Sequence, residues 1–205
     1  PCALLWLHGL GDTGAGWEHR FASLEDLPGL RSLFPTAPVR HVRAMAADEA
    51  QLAAWFDLHT YPVALEEPED GDTTREAVTL IHEALDRLVA DGVPSDRVVV
   101  GGFSQGGAAA LAGGLSYPRR LAGLVSISGW TALRSGESLA RTVHPANGAV
   151  PIFFSAGTAD RVVAFRLARR SYEALAAALP DAHVTFAKVD RGGHPPKKQE
   201  LLAAT

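Results

Sequence analysis

Short apolar segments alternate with longer amphipathic segments along the chain, and this alternation restricts the fold more than any other feature of the sequence. A short apolar run is typical of a strand that is buried on both faces of a sheet. An amphipathic segment is typical of a helix that covers one face of that sheet. The alternation therefore predicts an α/β fold, with a mostly parallel central sheet flanked by helices in a single domain over residues 1–205.

Individual elements can be placed from turn and capping signals. Thr73 and Glu76 have capping-box spacing before one helical pattern, and Pro118 and Pro180 follow two others. Residues 35–72 fit the alternation least and are predicted to form a long excursion over one end of the sheet. The predicted strands are 3–7, 97–100, 121–127, 150–155 and 183–189; the predicted helices are 73–90, 105–116 and 162–179, with a candidate terminal helix at 199–204.

The composition excludes several classes of function. Hydrophobic residues make up 47% and charged residues 20% of the chain, and the formal net charge is −4, so no basic surface for nucleic acid is expected. No apolar stretch is long enough to cross a bilayer. Cys2 is the only cysteine, so no intrachain disulfide can form; this fits a reducing, cytoplasmic location. Because Cys2 begins an apolar run, it is predicted to be buried.

The segment Gly102-Phe103-Ser104-Gln105-Gly106 matches the pattern G-x-S-x-G. This pattern marks a nucleophile elbow when a strand precedes it and a helix follows it, as is predicted here. Glycines at the outer positions allow the close approach of strand and helix that such a sharp turn needs. Ser104 is therefore the candidate nucleophile, and the alternative is an incidental serine in a glycine-rich turn.

A serine hydroxyl needs a base to accept its proton, and three histidines follow Ser104 in the sequence. His183 lies at the start of a predicted strand, which is the wrong edge of a parallel sheet. His144 lies in an irregular segment before a proline. His194 follows the last predicted strand through a glycine-containing loop, which places it at the same edge as Ser104. His194 is the candidate base.

Three aspartates lie between the candidate nucleophile and the candidate base. Asp181 lies in a turn at the far edge of the sheet. Asp190 ends the strand that leads to the base, so it is poorly placed to approach the imidazole from behind, and it stays an alternative. Asp160 follows strand 150–155 at the catalytic edge and is preferred. The order serine, acid, histidine is that of the α/β-hydrolase fold, and the acid would hold the neutral tautomer of the histidine.

The segment after the first strand has two interpretations. Gly9-x-Gly11-x-x-Gly14 matches a dinucleotide-binding fingerprint, but residues 31–36 lack the acidic residue that this fingerprint expects about 20 positions later. In the other interpretation the loop donates a backbone N–H to a developing oxyanion, and Gln105 supplies the second N–H. The serine constellation favours the second interpretation, because one loop serves only one of these functions.

The chain resembles the acyl-protein thioesterase, lysophospholipase and carboxylesterase family of small α/β-hydrolases. The resemblance extends from Leu7 to His194, and several blocks occur in the matching order. The matching blocks are LHGLGDTGAGW (7–17), FPTAPV (34–39), WFD (55–57), VPSDRVVVGGFSQGG (93–107), SGW (128–130), GTADRVV (157–163) and GGH (192–194).

This resemblance implies a site and a reaction. It places the oxyanion donors at the backbone N–H groups of Leu10 and Gln105, and it places the acyl pocket at Trp130, Val162 and Val163. The implied reaction is hydrolysis of an acyl thioester or ester through an acyl-serine, with no cofactor and no metal. The sequence also lacks an H-E-x-x-H motif and a Cys/His cluster.

Acyl-protein thioesterase is the leading functional interpretation. The alternatives are a carboxylesterase or lysophospholipase, which acts on small esters or lysolipids, and a binding protein that has kept the fold without turnover. The expected partner is an acylated protein or a small acyl ester or lysolipid; no nucleic acid and no membrane span are expected. The oligomeric state is left open, with a homodimer as one alternative.

Overall fold

Six parallel strands form the central sheet of the computed structural model, which describes residues 1–24, 27–48, 51–66, 71–132, 141–197 and 201. Two further described strands pair in antiparallel fashion outside it. In chain order the strands are β1 (Cys2–Leu7), β2 (Leu30–Leu33), β3 (Val39–His41), β4 (Gln51–Ala53), β5 (Val98–Phe103), β6 (Gly123–Ile127), β7 (Ile152–Gly157) and β8 (Val184–Val189), and the sheet order is β2-β1-β5-β6-β7-β8.

The described helices connect these strands and cover the sheet. They are α1 (Gly14–Glu18), α2 (Gly71–Ala90), α3 (Gln105–Ser116) and α4 (Phe165–Ala178), and short 3₁₀ turns occupy His19–Leu24, Arg43–Asp48, Ser95–Arg97 and Pro145–Asn147. None of the helices in the described part of the chain has the length and apolarity that a bilayer span requires.

Alternate residues of the strands pack into two separate apolar layers, as the two-residue period of a strand requires. In β1, Ala3, Leu5 and Leu7 belong to the larger cluster, which includes residues of α2, α3 and α4. Leu4 and Trp6 face the other side and pack with a smaller cluster that includes Trp17, Phe21 and Leu201. Both faces of the sheet are therefore covered by apolar side chains.

Helix α3 is buried along almost its whole length, and its small residues explain how it fits. A Cβ at Gly113 would lie 2.6 Å from Cγ2 of Ile81 in α2, and a Cβ at Gly114 would lie 2.3 Å from Cδ2 of Leu124 in β6. The glycines thus let α3 pack closely against a neighbouring helix on one side and the sheet on the other.

The register of the sheet brings the carboxyl ends of its strands to one edge. Leu7 of β1 pairs with Gly102 of β5, and Phe103 pairs with Ile127 of β6. Gly157 of β7 pairs with Val189 of β8. The loops that follow these strands therefore emerge beside one another, and ligand sites of parallel sheets form at such an edge.

Most predicted elements are confirmed within a few residues, and α3 has the predicted bounds. Helix α2 includes Gly71, two residues before the predicted start, so Thr73 lies inside the helix, and its hydroxyl accepts a hydrogen bond of 2.9 Å from the backbone N–H of Asp57. The predicted burial of Cys2 is wrong, because the residue is exposed at the amino end of β1. The candidate helix at 199–204 lies outside the described residues apart from Leu201.

Candidate active site

Three side chains from different loops form a chain of hydrogen bonds at the carboxyl edge of the sheet. Ser104 follows β5, Asp160 follows β7 and His194 follows β8. Nε2 of His194 lies 2.9 Å from Oγ of Ser104, and Nδ1 of His194 lies 2.8 Å from Oδ2 of Asp160. The structure therefore brings together the three residues that the sequence singled out.

Ser104 occupies a strained turn between β5 and α3. Its φ of 55° and ψ of −121° are rare for a residue with a side chain and cost on the order of 1–3 kcal/mol. A Cβ at Gly102 would lie 2.3 Å from the carbonyl carbon of Gly106, and a Cβ at Gly106 would lie 2.2 Å from the carbonyl oxygen of Leu7. The two motif glycines are thus required sterically, as the G-x-S-x-G pattern predicts.

The carboxylate of Asp160 is held from two directions. Oδ1 accepts hydrogen bonds from the backbone N–H groups of Val162, at 2.8 Å, and Val163, at 2.9 Å. Oδ2 faces Nδ1 of His194, and the Asp160 side chain is fully buried. A carboxylate without a proton can only accept, so Nδ1 carries the hydrogen and Nε2 is left free to accept the proton of Ser104.

The alternative acid and the alternative bases lie elsewhere. Asp190 forms an ion pair with Lys188 at 2.9 Å, and 78% of its side chain is exposed. His183 is exposed before β8. Nδ1 of His144 accepts a hydrogen bond from the backbone N–H of Ala146 and caps a 3₁₀ turn.

Hydrogen bonds attach the backbone of the loop that carries His194 to residues that follow neighbouring strands. Oγ of Ser128 donates a hydrogen bond of 3.0 Å to the carbonyl oxygen of His194. The backbone N–H of Ala159 donates to the carbonyl oxygen of Gly192 at 2.9 Å, and the imidazole packs 4.8 Å from the ring of Phe103. Sequence reasoning missed Ser128, although it lies in the SGW block.

The two backbone groups expected to bind an oxyanion lie near Ser104. A Cβ at Gly9 would lie 3.5 Å from Cβ of Ser104, so the loop that contains Leu10 passes beside the nucleophile. Gln105 is the first residue of α3 and directly follows Ser104. The backbone N–H groups of Leu10 and Gln105 donate no hydrogen bond to any other described residue.

Comparison with known proteins identifies the family. The model of the phospholipase/carboxylesterase family matches residues 2–205. The chain belongs to the phospholipase/carboxylesterase family. The α/β-hydrolase fold predicted from the sequence is thereby confirmed, and the six-stranded parallel sheet agrees with it.

Relatives within the phospholipase/carboxylesterase family carry two kinds of name. A protein of Oryza sativa subsp. japonica named as a probable carboxylesterase is 40% identical over 164 residues, which cover 79% of this chain and 60% of the relative. Acyl-protein thioesterase 1 of Eremothecium gossypii is 39% identical over 163 residues, which cover 78% of this chain and 66% of that protein. The aligned part of this chain thus spans less than two thirds of either relative.

A crystal structure of SOBER1 from Arabidopsis thaliana superposes on this phospholipase/carboxylesterase family member with a TM-score of 0.90. The two chains are 31% identical, and the match covers 98% of this chain and 94% of the other. The likeness therefore extends over the whole arrangement of strands and helices that positions the site.

The three residues expected to line an acyl pocket in this phospholipase/carboxylesterase chain differ in exposure. Trp130 and Val163 are buried, and Trp130 packs edge-to-face against Phe56 with ring centroids 6.0 Å apart. Val162 is partly buried, and its carbonyl oxygen accepts a hydrogen bond from the backbone N–H of Val63. Val163 thus lies beside Asp160 and Trp130 beside Phe56, and the contact of Trp130, Val162 and Val163 with an acyl chain stays a prediction.

Proposed function

We propose that this chain is a serine hydrolase that cleaves acyl thioesters or esters through an acyl-enzyme formed on Ser104. The observation that carries the proposal is the continuous hydrogen-bond chain from Ser104 through His194 to Asp160, with distances of 2.9 and 2.8 Å. A base within hydrogen-bond reach of the nucleophile, itself oriented by a buried carboxylate, is the arrangement that activates a serine hydroxyl.

The first half-reaction forms the acyl-enzyme. Oγ of Ser104 attacks the acyl carbonyl carbon while Nε2 of His194 accepts the hydroxyl proton. Asp160 stabilises the imidazolium that results. The thiolate or alkoxide then leaves and takes that proton from His194.

The second half-reaction releases the acid. His194 removes a proton from water, which attacks the acyl carbon, and Ser104 leaves with the proton returned. In both steps the N–H groups of Leu10 and Gln105 donate to the tetrahedral oxyanion. Loss of one such donor in related enzymes costs about 3–4 kcal/mol, so each donor is expected to contribute about 10²–10³-fold to the rate.

The proposed substrate class is an acylated protein whose thioester is hydrolysed. Support comes from the thioesterase name of one relative, and the carboxylesterase name of another supports the alternative of small esters or lysolipids. A cytoplasmic location and a homodimer belong to the same proposal. Rates on a long-chain acyl thioester, a short nitrophenyl ester and a lysolipid, compared on one preparation, distinguish the three substrate classes.

The experiment that tests the catalytic proposal combines a variant with a covalent probe. Ser104→Ala is expected to abolish turnover and labelling by a fluorophosphonate, while circular dichroism and thermal unfolding stay those of a folded protein. Ser32→Ala is the control, because Ser32 is an exposed serine in the edge strand β2. Turnover or labelling at the wild-type rate in Ser104→Ala would overturn the proposal.

A further inference from the structure

The two oxyanion donors belong to parts of the chain that are far apart in sequence, and one short segment contacts both. Leu10 follows β1, and Gln105 begins α3. Residues 53–56, which begin at the last residue of β4, make hydrogen bonds to the Leu10 loop and to the Gln105 side chain. We call residues 53–56 the bridging segment.

The side chain of Gln105 binds the bridging segment at two points. Its Oε1 accepts a hydrogen bond of 3.0 Å from the backbone N–H of Trp55, and its Nε2 donates a hydrogen bond of 2.6 Å to the carbonyl oxygen of Phe56. Gln105 is fully buried, so water does not compete for these bonds. The residue whose backbone N–H faces the oxyanion is therefore fixed by its own carboxamide.

The Leu10 loop is bound by the same segment on both sides of Leu10. The indole Nε1 of Trp55 donates a hydrogen bond of 2.8 Å to the carbonyl oxygen of His8. The backbone N–H of Gly11 donates a hydrogen bond of 2.9 Å to the carbonyl oxygen of Ala53. The peptide groups that flank the second donor are thus attached to the segment that holds Gln105.

The imidazole of His8 braces the loop further. Nε2 accepts a hydrogen bond of 2.9 Å from the backbone N–H of Ala37, so the hydrogen resides on Nδ1, which donates to the carbonyl oxygen of Gly9 at 2.6 Å. Burial lowers the pKa of His8 below its ordinary value. The neutral ring therefore joins the carbonyl oxygen of Gly9, in the loop, to the backbone N–H of Ala37, which follows β2.

We propose that the Gln105 carboxamide and the Trp55 indole are positioning residues that fix the two oxyanion donors relative to each other. The inference rests on the proposed function and deepens it: the described hydrogen bonds of Trp55 go to Gln105 and His8 and not to the nucleophile or the base, yet Trp55 would determine how well the oxyanion is bound. A shift of about 1 Å in such a site can cost about a hundredfold in rate, and loosening either attachment permits a shift of this kind.

Two variants test the two attachments separately. Trp55→Phe removes the bond to the His8 carbonyl and keeps an aromatic ring in place. Gln105→Glu keeps an acceptor for the Trp55 N–H but places a second oxygen against the carbonyl of Phe56. Protonation of the new carboxyl at low pH gives it an O–H that can donate to that carbonyl, so the activity of Gln105→Glu relative to wild type should rise as the pH falls.

The rate constants and the affinity for an inhibitor that resembles the transition state distinguish a positioning role from a purely structural one. Both variants should lose about tenfold or more in kcat with little change in KM, because only transition-state binding is weakened. An alkyl trifluoromethyl ketone adds reversibly to Oγ of Ser104, its carbonyl oxygen becomes an oxyanion and the proton passes to His194. Its inhibition constant should rise by the same factor as kcat/KM falls.

Trp6→Phe is the matched control. Trp6 is a buried tryptophan of β1 in the smaller cluster, and its indole N–H has no hydrogen-bond partner in the described structure. This variant should lower thermal stability without changing inhibitor affinity.

Wild-type inhibitor affinity in both folded variants would overturn the inference, even though the wild-type enzyme remained active and labelled at Ser104. Loss of the proposed function itself is recognised separately, by turnover that survives Ser104→Ala. Should Gln105→Glu fail to fold, Trp55→Phe alone decides the inference. A loss of inhibitor affinity in Trp55→Phe without a matching loss of kcat/KM would also overturn the inference.

Discussion

The hydroxyl group of Ser128 donates a hydrogen bond of 3.0 Å to the carbonyl oxygen of His194. Ser128 directly follows β6, which lies in the sheet between the strand that leads to Ser104 and the strand that leads to Asp160. It is buried and has a φ of 50°, and its backbone N–H donates to the carbonyl oxygen of Ser155. The residue after the strand between β5 and β7 thus belongs to none of the three hydrogen-bonded side chains but anchors the backbone of His194.

Ser128→Ala should reduce kcat several-fold and leave the protein folded. The lost hydrogen bond is worth about 1 kcal/mol, and its removal frees the histidine loop to leave the position from which it reaches Ser104. Steady-state kinetics and hydrogen exchange of residues 191–194 measure the two effects.

Ser155→Ala is the control for this change, because the buried Oγ of Ser155 has no hydrogen-bond partner in the described structure. It removes a hydroxyl from the neighbouring strand without releasing the loop. Equal kcat values for Ser128→Ala and Ser155→Ala would contradict an anchoring role.

Asp160→Asn should lower kcat by about 10²–10⁴-fold, although the side chain keeps its size. The N–H groups of Val162 and Val163 require an acceptor at the position of Oδ1, so the new NH₂ group must face His194. His194 then accepts at Nδ1 and carries its hydrogen on Nε2, where it cannot take the proton of Ser104.

Nitrogen-detected NMR of the imidazole in Asp160→Asn reads the tautomer directly. Asp190→Asn is the control, because Asp190 is an exposed partner of Lys188. An unchanged tautomer together with wild-type kcat in Asp160→Asn would contradict the assigned role of this carboxylate.

The proximity of Ser104, Asp160 and His194 could be predicted because it follows from chain order and strand direction. In a parallel sheet, residues that follow strands share an edge, and this rule separates His194 from His183 on the sequence alone. Asp160 and Asp190 both follow strands at this edge, and Asp160 is preferred because Asp190 ends the strand that leads to His194; the structure shows Asp190 paired with Lys188 in solvent.

The supporting contacts could not be predicted, because they depend on side-chain packing between segments distant in sequence. The bond from Trp55 to His8 joins residues 47 positions apart, and neither residue type by itself indicates the other. The burial of Cys2 was predicted wrongly for a related reason. An apolar run predicts a strand, but whether the first residue of that strand is buried depends on which elements pack against that edge of the sheet.

His8 should make the protein less stable in acid. Its pKa is lowered in the folded state, chiefly by burial, whereas the unfolded chain has the ordinary value of about 6.5. Between these two pKa values the unfolded state binds more protons than the folded state. The contribution of His8 to the free energy of unfolding is therefore fully present above about pH 6.5 and is lost as the pH drops further. Denaturant unfolding from pH 8 to pH 5 measures this slope.

The variant His8→Gln separates this residue from the other histidines. It cannot gain a proton, so its stability should depend less steeply on pH below about 6.5, even though it starts from a lower value at pH 8. At pH 8 His8 is neutral in the folded and in the unfolded state, so the free energy of unfolding at pH 8 is the reference value for each protein. Identical slopes for wild type and His8→Gln would show that His8 does not contribute.

Gly106→Ala should destabilise the protein by about 1–3 kcal/mol or more and abolish activity. Its Cβ would lie 2.2 Å from the carbonyl oxygen of Leu7 and 2.4 Å from that of His8, and both are backbone atoms that cannot swing away. The clash pushes α3 from β1 and shifts the turn that holds Ser104.

Gly123→Ala is the matched control, since its nearest neighbour is the carbonyl oxygen of Pro151 at 3.6 Å. Denaturant unfolding and fluorophosphonate labelling of both variants check the prediction, and equal stability and labelling would mean that the elbow tolerates a side chain at position 106.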